Sequence, residues 1–400
     1  MMPAKISIPL TGLASDQDFE NLENLMAYAS PEIASHTVDR ANCLIEIELR
    51  EGAEVTALES RLTAMIRKIR PIKAGPANQV VIDRLGQSVP CRENLLETLE
   101  KRREVIFHAP GVCSLHGQLH QMHKALDRRL LALALDQGAM EATYPVSIAL
   151  GTLKRSNFFS HYPQFANFIS VLNPDAESIS LAAKNLGGSG DLDFLQHLQS
   201  PTMMCRSAGC LHAYPSYENE VFAPDRAHSI TMDGRMFRNE GRNLHGLERL
   251  HEYSMREIIF LGSPAYVREG LAACMEWCKS YLTEFGLQGV IQSAGDPFFA
   301  DNLAALQFFQ RSEQSKHEFR LINPFNGNSV SVASVNNHGE HFAKSYNIKF
   351  EDGTYVATGC FGVGFERLLF LTLSQYGYDS AGWPQALREF YFPQQAIVGV

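Results

Sequence analysis

Two segments of the chain concentrate side chains suited to binding phosphate. In the first, Arg238 and Glu240 lie two residues apart on a segment that reads as a strand, so both side chains point to the same face. The loop that follows brings Arg249 back towards them. Arginine makes paired hydrogen bonds to phosphate oxygens, and a carboxylate can bind an adenine amine, a ribose or a magnesium ion. This spacing suits a site for a nucleoside triphosphate.

The second segment is a strand that runs through glycines into a helix. The apolar stretch 355–358 is followed by Gly359, Gly362 and Gly364, and the first turn of the predicted helix presents Arg367. A flat guanidinium at a helix start can lie against a purine. These glycines are not a dinucleotide fingerprint, because Arg367 occupies the position of the third glycine. The chain also lacks a Walker-type loop and a Gly-x-Ser-x-Gly elbow.

Together these segments resemble motifs two and three of the class II aminoacyl-tRNA synthetases. The stretch Gly246–Tyr253, GLERLHEY, is especially similar to the seryl-type enzymes, and so is the placement of Ser331–Asn336 ahead of motif three. Within that group the chain is most similar to the amino acid:carrier protein ligases, which are related to the atypical, zinc-dependent seryl-tRNA synthetases. The resemblance covers roughly residues 106–393.

The resemblance implies an α+β fold, with an antiparallel sheet flanked by helices in a class II synthetase-like catalytic domain at residues 106–400. A long helix predicted at His116–Asp136 stands where these enzymes keep motif one, which implies a homodimer. Helices are also predicted at Pro264–Phe285 and Ala300–Phe309, between strands of alternating polarity.

Residues 1–105 read as a small N-terminal α/β module. The hydrophobic pattern predicts a strand at Lys5–Leu10, a helix at Asp16–Ala29, a strand at Asn42–Leu49 and a helix at Val55–Arg70, an order typical of a ferredoxin-like domain. The module holds 13 Lys and Arg against 16 Asp and Glu, and a net charge of −3 disfavours a tRNA-gripping arm. It is interpreted as a protein-docking or dimer-supporting module, with a simple spacer as the alternative.

The resemblance also implies a metal site. Zinc-dependent relatives use two cysteines and a glutamate, and the matching positions here are Cys210, Glu257 and Cys360. Three protein ligands leave zinc one open position, which suits a substrate amine. Cys205 is an alternative to Cys210, and buried cysteines are also common as simple apolar residues.

The resemblance further assigns roles at the nucleotide. Arg238 would hold the α-phosphate of ATP and the amino-acid carboxylate, and Glu240 would hold the adenine amine or position Mg²⁺. Arg249 would reach the β- or γ-phosphate, Arg367 would cover the adenine, and Leu250 is placed with them at the nucleotide.

The implied reaction is the activation of a small amino acid by ATP to an aminoacyl-adenylate. Positioning and charge neutralisation carry such a reaction, so no side-chain nucleophile is required. Ser334 and Asn336 match the strand that lines the amino-acid pocket, although core packing explains a bare strand equally well. Glycine, alanine or serine is the expected substrate.

Charge decides between two acceptors of the acyl group. The 400-residue chain carries a net charge of −9 and shows no basic stripe, whereas a tRNA would need one. The phosphopantetheine thiol of an acyl or peptidyl carrier protein is therefore preferred over tRNA. Carrier proteins are themselves acidic, so Lys154, Arg155 and Lys344 are candidate contacts. The alternatives are an atypical seryl-type aminoacyl-tRNA synthetase and a non-catalytic, regulatory synthetase-like protein.

Composition indicates where the protein works. The eight cysteines show no spacing of a disulfide framework, and no apolar run approaches the ~20 residues that cross a bilayer. With no signal-like N-terminus, the sequence is interpreted as that of a cytoplasmic protein with no membrane contact.

Overall fold

The computed structural model describes residues 4–11, 13, 16–67, 78–186, 193–295 and 315–393. In chain order its helices are α1 Asp16–Met26, α2 Val55–Arg67, α3 Leu95–Lys101, α4 Gly117–Asp136, α5 Leu150–Arg155, α6 Phe158–His161, α7 Ala176–Leu186, α8 Cys210–Ala213, α9 Pro264–Glu284, α10 His341–Tyr346, α11 Phe365–Tyr376 and α12 Gln385–Tyr391. Its strands are β1 Lys5–Pro9, β2 Ile33–Asp39, β3 Leu44–Leu49, β4 Val80–Asp83, β5 Val105–Ala109, β6 Val112–Leu115, β7 Met140–Glu141, β8 Ser147–Ala149, β9 Phe168–Ile169, β10 Met203–Cys205, β11 Val221–Phe222, β12 His228–Phe237, β13 Glu252–Gly262, β14 Gly289–Ser293, β15 Lys316–Ile322, β16 Ser329–Gly339, β17 Lys349–Phe350 and β18 Ala357–Gly364.

An eight-stranded sheet forms the centre of the molecule. Its strand order is β4-β14-β15-β16-β18-β13-β12-β7, and all of its neighbours pair antiparallel except β12 and β7. This confirms the predicted α+β architecture, in which an antiparallel sheet is flanked by helices. Strands β13 and β18 are antiparallel neighbours in this sheet although β14, β15 and β16 lie between them in the sequence.

Successive side chains of a strand point to opposite faces, so the two faces of β18 contact different parts of the molecule. Phe361 packs against Trp277 of α9 with ring centroids 5.8 Å apart, and a Cβ on Gly359 would lie 2.8 Å from Val267 of the same helix. Cys360 and Gly362 face the opposite side, where they line a large cavity. The face of β18 that carries Phe361 therefore packs in the core, and the face that carries Cys360 lines the cavity.

The strand ahead of α11 differs from its predicted bounds. The sequence predicted a strand at 355–358, whereas β18 spans Ala357–Gly364 and includes the glycines. Every residue of β18 is buried between β13 and β16, and pairing on both sides offsets the cost of glycine in a strand.

The N-terminal module folds around its own small core. Strands β1, β3 and β2 form an antiparallel sheet packed against α1 and α2, and its buried cluster runs from Ile6 to Ile66. The predicted strand-helix-strand-helix order missed β2, which pairs with β3 in a hairpin. The exposed polar residues of β2 give a weak alternation, so the signal in the sequence was poor.

Residues 80–105, which the sequence groups with the N-terminal module, contact the central sheet. Strand β4 pairs with β14 of the central sheet, and Leu95 and Leu99 of α3 belong to the main core cluster. The N-terminal core cluster ends at Ile66, and described residues between 80 and 105 pack with the central sheet and its core cluster.

The long helices agree closely with the sequence. Helices α4 and α9 lie within one residue of the predicted bounds, and Ser263 caps α9 by accepting a hydrogen bond from the backbone N–H of Tyr266 at 3.2 Å. The helix predicted at 300–309 lies outside the residues that the structure describes, as do residues 68–70 of the second predicted helix.

Candidate active site

A cavity of about 1930 Å³ lies between the polar face of the central sheet and the N-terminal module. Its lining includes side chains from both phosphate-binding segments and from the predicted metal site: Arg238, Glu240, Arg249, Arg367, Cys210, Glu257 and Cys360. A volume of this size holds a nucleotide together with a second small molecule. The structure thus brings together residues that are up to 157 positions apart in the sequence.

Glu240 joins the two phosphate-binding segments. One of its carboxylate oxygens lies 3.2 Å from a guanidinium nitrogen of Arg249, and the other lies 3.9 Å from Arg367. Glu240 is 3% exposed, so the carboxylate end of these ion pairs is shielded from water, whereas the side chains of Arg249 and Arg367 are 35% and 22% exposed. Two cationic neighbours make this carboxylate a poor magnesium ligand, and of the two predicted roles they favour an acceptor for an amine.

Tyr253 completes this group and was missed as a site residue in the sequence. Its ring lies 5.6 Å from the guanidinium carbon of Arg238 and 5.9 Å from that of Arg367. Its hydroxyl is buried and has no hydrogen-bond partner in the part of the chain that the structure describes. A buried polar atom without a partner is costly, so this hydroxyl is suited to a ligand in the cavity. The period of two along β13 was the available signal, because Tyr253 and Glu257 share one face.

Arg238 lies at the mouth of the same group. Its Nε–H donates to the carbonyl oxygen of Ser207 at 3.3 Å, and its guanidinium carbon lies 5.1 Å from the ring of Phe165. The backbone N–H of Arg238 donates to the carbonyl of His251 at 2.9 Å, which extends the β12–β13 hairpin by one pair. Aromatic contacts and a backbone anchor hold the guanidinium in one orientation.

Cys210, Glu257 and Cys360 form a second group in the cavity. One ligand atom from each lies within 4.8 Å of the others, and all three residues are buried. Strand register explains part of this arrangement: Glu257 pairs with Gly362, which lies on the same face of β18 as Cys360. The helix α8 contributes Cys210 from outside the sheet.

Backbone hydrogen bonds orient the carboxylate of this group. The N–H groups of Gly209 and Cys210 donate to the two oxygens of Glu257 at 2.7 and 2.8 Å. Burial, and after it the neighbouring Cys360, raise the pKa of Glu257 to about 7, although these two hydrogen bonds oppose the shift. The hydrogen bond to Cys360, burial and the nearby Glu257 raise the pKa of Cys210 well above its usual range. The hydrogen bond from Cys210 lowers the pKa of Cys360 well below its usual range, so Cys360 is the group of the three that favours its charged form. The charged forms of Cys210 and Glu257 are disfavoured in this dry site, and a bound cation would stabilise them.

The donor set fits a zinc ion. Two thiols and a carboxylate are ligand types that zinc accepts, and their separation is comparable with the roughly 4 Å between donors in a tetrahedral zinc site. Of the two predicted cysteines, the structure places Cys210 in this group. Cys205 lies at the end of β10 and is not part of the cluster among the residues described.

Ser334 and Asn336 lie beside this group, on the strand next to β18. In the register of β16 and β18, Ser334 pairs with Gly362 and Asn336 pairs with Cys360. The amide nitrogen of Asn336 lies 3.7 Å from the sulfur of Cys360 and 3.1 Å from the hydroxyl of Ser334. His338, two residues further along, was missed in the sequence; its Nε2 lies 3.9 Å from the sulfur of Cys360.

His338 is in turn oriented by a buried tyrosine. The hydroxyl of Tyr214 lies 3.1 Å from Nδ1 of His338 and donates to the carbonyl of Gly359 at 3.2 Å. An outer set of partners of this kind fixes the direction in which a ligand side chain points.

Gly362 forms part of the floor of the cavity and gives a first prediction. A Cβ there would lie 3.4 Å from the sulfur of Met255 and 3.6 Å from Cγ of Glu257, which are ordinary contacts. The variant Gly362→Ala should therefore fold, but its methyl would occupy space between Glu257 and Ser334. In the ATP-dependent activation of an amino acid that the sequence predicts, the KM of the amino acid should rise about tenfold, a loss of roughly 1.4 kcal/mol, with the KM of ATP little changed.

The control for this prediction is Gly382→Ala, because a methyl there would meet nothing within 4 Å. Steady-state kinetics with each substrate varied in turn provides the measurement. If Gly362→Ala raised the KM of ATP as much as the KM of the amino acid, the space beside Gly362 would not be a pocket for the amino acid alone.

Glu248 anchors the far side of the Arg249 loop and was not singled out in the sequence. Its two oxygens accept hydrogen bonds from the side-chain amides of Asn323, Asn326 and Asn328, at 2.5 to 3.0 Å, and it lies 3.2 Å from Nδ1 of His245. Burial works to raise the pKa of Glu248, but the hydrogen bonds from His245 and the three asparagines outweigh it and lower the pKa to about 2. The turn between β15 and β16 thus holds the residue next to Arg249.

Stability should consequently depend on the charge of Glu248. Because its pKa falls from 4.5 to about 2 on folding, its contribution is complete above pH 4.5 and is lost as the pH falls towards 2. The variant Glu248→Gln should have a free energy of unfolding about 3 kcal/mol lower than that of the wild type at pH 7. This gap in the free energy of unfolding should narrow below pH 4.5.

Urea unfolding of both proteins at pH 7, 4.5 and 3.5 measures this gap. Glu97→Gln provides the control, because Glu97 is exposed and pairs with Lys101 at 3.3 Å. A gap for Glu248→Gln as small as that for Glu97→Gln at pH 7 would contradict the assigned role of the asparagines.

Leu250 and two of the candidate basic residues make contacts other than those expected from the sequence. Leu250 is 2% exposed and belongs to the main core, so its side chain packs under the loop and is not among the residues that line the cavity. Of the candidate basic residues, Arg155 forms an ion pair with Glu218, and Lys344 pairs with Glu340 at 2.8 Å. Their charges are therefore partly compensated, whereas Lys154 is exposed.

Within the described ranges, no helix has both the length and the apolar character required to pass through a bilayer.

Comparison with known proteins identifies the central part of the chain. Residues 223–376 match the family model of the tRNA synthetase class II core domain (G, H, P, S and T). This range contains both phosphate-binding segments, and it contains Glu257 and Cys360. The structure has that fold, and the predicted resemblance to class II synthetases is confirmed.

Two sequence relatives and one solved structure refine the comparison. A type-2 serine–tRNA ligase of Methanopyrus kandleri is 27% identical over 63% of this chain and 51% of its own length. An amino acid–[acyl-carrier-protein] ligase of Bradyrhizobium diazoefficiens is 23% identical over 76% of this chain and 93% of its own length. The crystal structure of the M. kandleri seryl-tRNA synthetase with A. aeolicus tRNASec superimposes with a TM-score of 0.69 at 20% identity, covering 96% of this chain and 77% of that one.

The coverage differs between the two kinds of relative. The chain spans about half the length of the type-2 serine–tRNA ligases of Methanopyrus kandleri and Methanothermobacter thermautotrophicus, 51% and 55% respectively, but nearly the whole length of the carrier-protein ligase.

Proposed function

Because residues 223–376 form a class II tRNA synthetase core domain, we propose that the chain activates a small amino acid with ATP and transfers it to the phosphopantetheine thiol of a carrier protein. The observation that carries this proposal is the single cavity shared by the Arg238–Glu240–Arg249–Arg367 group and the Cys210–Glu257–Cys360 group. The first group suits a nucleotide and the second suits an amine. A reaction that joins an amino acid to ATP needs both, side by side.

The first step is a displacement at phosphorus. A carboxylate oxygen of the amino acid attacks the α-phosphorus, the bond from that phosphorus to the oxygen of the β-phosphate breaks, and pyrophosphate leaves with the electron pair. Arg238 would neutralise the charge that builds up on the α-phosphate, and Arg249 would bind the outer phosphates. Mg²⁺ would accompany the phosphates as it does in related reactions.

The adenine would be held by the rest of the arginine group. Arg367 would cover one face of the ring, with Tyr253 nearby, and the buried carboxylate of Glu240 would accept from the adenine amine. Removing water from this pocket strengthens each of these contacts.

A zinc ion held by Cys210, Glu257 and Cys360 would offer an open coordination position to the free amine of the amino acid. Ser334, Asn336 and Gly362 would then line the space around the side chain. We propose glycine, alanine or serine as the substrate, with Ser334 and Asn336, the neighbours of Gly362 and Cys360 on β18, beside its side chain.

The second step transfers the acyl group. The sulfur of the phosphopantetheine arm attacks the carbonyl carbon of the adenylate, the bond to the phosphate oxygen of AMP breaks, and a thioester forms as the thiol proton is lost to solvent. Two observations favour a carrier protein over a tRNA as the acceptor. The net charge of −9 disfavours binding of a long polyphosphate chain, and the chain covers 93% of a relative named as an amino acid–[acyl-carrier-protein] ligase.

Exchange of labelled pyrophosphate into ATP tests the activation step with each amino acid in turn. We expect exchange with glycine, alanine or serine and none without an amino acid. Adding phosphopantetheinylated carrier protein should then yield a thioester, which is detected by a mass shift and by its sensitivity to hydroxylamine. An absence of exchange with all amino acids would refute the proposal in favour of a regulatory, non-catalytic protein.

A seryl-type tRNA synthetase is the second candidate. The observation that favours it is the superposition of 96% of this chain, N-terminal module included, on a seryl-tRNA synthetase. Exchange restricted to serine, with acylation of tRNA but not of carrier protein, would establish it in place of the first proposal. A homodimer, expected for either candidate, is tested by light scattering of the purified chain.

A further inference from the structure

The N-terminal module contacts the loop that carries Glu240 and Arg249. The guanidinium of Arg242 donates to the carbonyl oxygens of Met26, at 2.9 Å, and Ser30. The backbone N–H of Arg242 donates to the carbonyl of Ala27 at 3.3 Å. All three acceptors lie at or just beyond the end of α1, more than 200 residues away in the sequence.

The end of α1 is chemically suited to this contact. Met26 is the last residue of α1, so its carbonyl lies at the negative pole of that helix and attracts a cation. The carbonyls of Ala27 and Ser30 belong to the turn that follows the helix. A guanidinium has several N–H donors in one plane and can reach two carbonyls at once. The three carbonyls therefore form a socket for Arg242, which is termed the α1 socket below.

The neighbouring residue of the loop is fitted to the same surface. Gly241 has φ +58°, and a Cβ at this position would lie 2.7 Å from the carbonyl oxygen of Ala27 and 3.0 Å from the ring of Tyr28. Both the backbone conformation and the close approach therefore require glycine. Close packing at Gly241 is independent of the hydrogen bonds of Arg242, and both point to a built contact.

The contact flanks Glu240 on both sides. The hydroxyl of Tyr28 donates to the carbonyl oxygen of Asn239 at 2.6 Å, while Gly241 and Arg242 are held by the α1 socket. Glu240, between them, contacts Arg249 at 3.2 Å and Arg367 at 3.9 Å. The end of α1 thereby fixes the backbone that presents this carboxylate to the nucleotide group.

We propose that Arg242 is a positioning residue for ATP, and that the N-terminal module acts through the α1 socket to hold the nucleotide-binding loop in its active geometry. This inference rests on the proposed function for its kinetic consequence. It gives the module a role other than protein docking, dimer support or spacing. The module's effect is on ATP rather than on the amino acid, because Cys210, Glu257 and Cys360 lie on other elements.

Pyrophosphate exchange with Arg242→Ala in the full chain tests the kinetic consequence. We expect the KM of ATP to rise about tenfold or more, with the KM of the amino acid and the zinc content unchanged. Arg242→Lys should recover part of the loss, because an ammonium can reach one carbonyl but not two in the same plane. The control is Arg61→Ala, an exposed arginine of the same module that pairs with Glu32 at 2.9 Å.

Hydrogen–deuterium exchange provides a readout that does not depend on catalysis. The amides of residues 239–249 should exchange faster in Arg242→Ala than in the wild type, while peptides from β13 and β18 stay protected. An unchanged KM of ATP together with unchanged exchange in this loop would overturn the inference. So would equal losses in both KM values accompanied by faster exchange throughout the chain, since that pattern reports general destabilisation.

The two proposals fail in different ways. If the wild type shows no amino-acid-dependent pyrophosphate exchange, the proposed function fails, and the socket is judged by hydrogen exchange of residues 239–249 alone. If the wild type is active and Arg242→Ala matches it in ATP dependence and in loop exchange, the socket fails and the proposed function stands.

Discussion

Replacing Cys360 with serine is expected to remove bound zinc and to abolish amino-acid activation in the same variant. The sulfur of Cys360 is one of three candidate ligand atoms that lie within 4.8 Å of one another on buried residues. A serine hydroxyl does not replace a thiolate as a zinc ligand. Loss of outer partners alone changes metal affinity roughly 10- to 100-fold, so the loss of a ligand should exceed that range. Metal analysis by mass spectrometry and pyrophosphate exchange, made on one preparation, provide the measurement.

Two further cysteine variants make this result specific. Cys274→Ser also removes a buried thiol, but Cys274 lies on α9 outside the cluster, so it should keep zinc and activity even where stability falls. Cys205→Ser should likewise keep zinc, whereas Cys210→Ser should lose it. A Cys360→Ser protein that activates its amino acid without metal would refute the role given to the three ligands.

Replacing Arg238 with alanine is expected to lower kcat/KM for activation by about 1000-fold, through kcat more than through either KM. The reason is that Arg238 would bind charge that grows only as the carboxylate attacks the α-phosphate. Its guanidinium is held by Ser207, Phe165 and Tyr253, so little freedom is lost when a substrate binds. Arg238→Lys should recover little activity, because a single ammonium cannot make paired contacts.

Arg226→Ala is the matched control for Arg238. Arg226 belongs to the same domain, pairs with Glu220 at 2.8 Å and is partly exposed, so its loss should leave the kinetics of exchange near those of the wild type. A loss confined to the KM of ATP in Arg238→Ala, with kcat retained, would mean that the residue binds the ground state and does not stabilise the transition state.

Local patterns in the sequence were enough to predict the pieces of this site. Arg238 and Glu240 both line the cavity, but β12 ends at Phe237, so they lie just beyond the strand that the sequence predicted for them. Arg367 lies in the first turn of the helix that follows the glycine-rich strand, as predicted. The periodicity of helices α4 and α9 predicted their bounds to within one residue. In each case the signal lies within about ten residues, where backbone geometry alone decides the direction of a side chain.

What the sequence could not predict depends on contacts between distant segments. Arg242 reaches the end of α1 across more than 200 residues, and Glu248 reaches three asparagines of the β15–β16 turn across about 80. The sequence around Arg242 or Glu248 does not indicate which distant residue either side chain will contact. The pairing of β4 with β14 of the central sheet likewise joins segments about 200 residues apart, and no local pattern in the sequence indicates it.

In the proposed function, two groups of side chains serve one reaction in one cavity: the nucleotide group Arg238, Glu240, Arg249 and Arg367, and the metal group Cys210, Glu257 and Cys360. Crystals grown with zinc and a non-hydrolysable analogue of the seryl-, alanyl- or glycyl-adenylate, measured at the zinc absorption edge, test it most directly. We expect one anomalous peak bonded to Cys210, Glu257, Cys360 and the amine of the analogue, with the adenine beside Arg367 and Glu240. An analogue bound with its amine far from the three ligands, or an anomalous peak elsewhere in the molecule, would contradict the account.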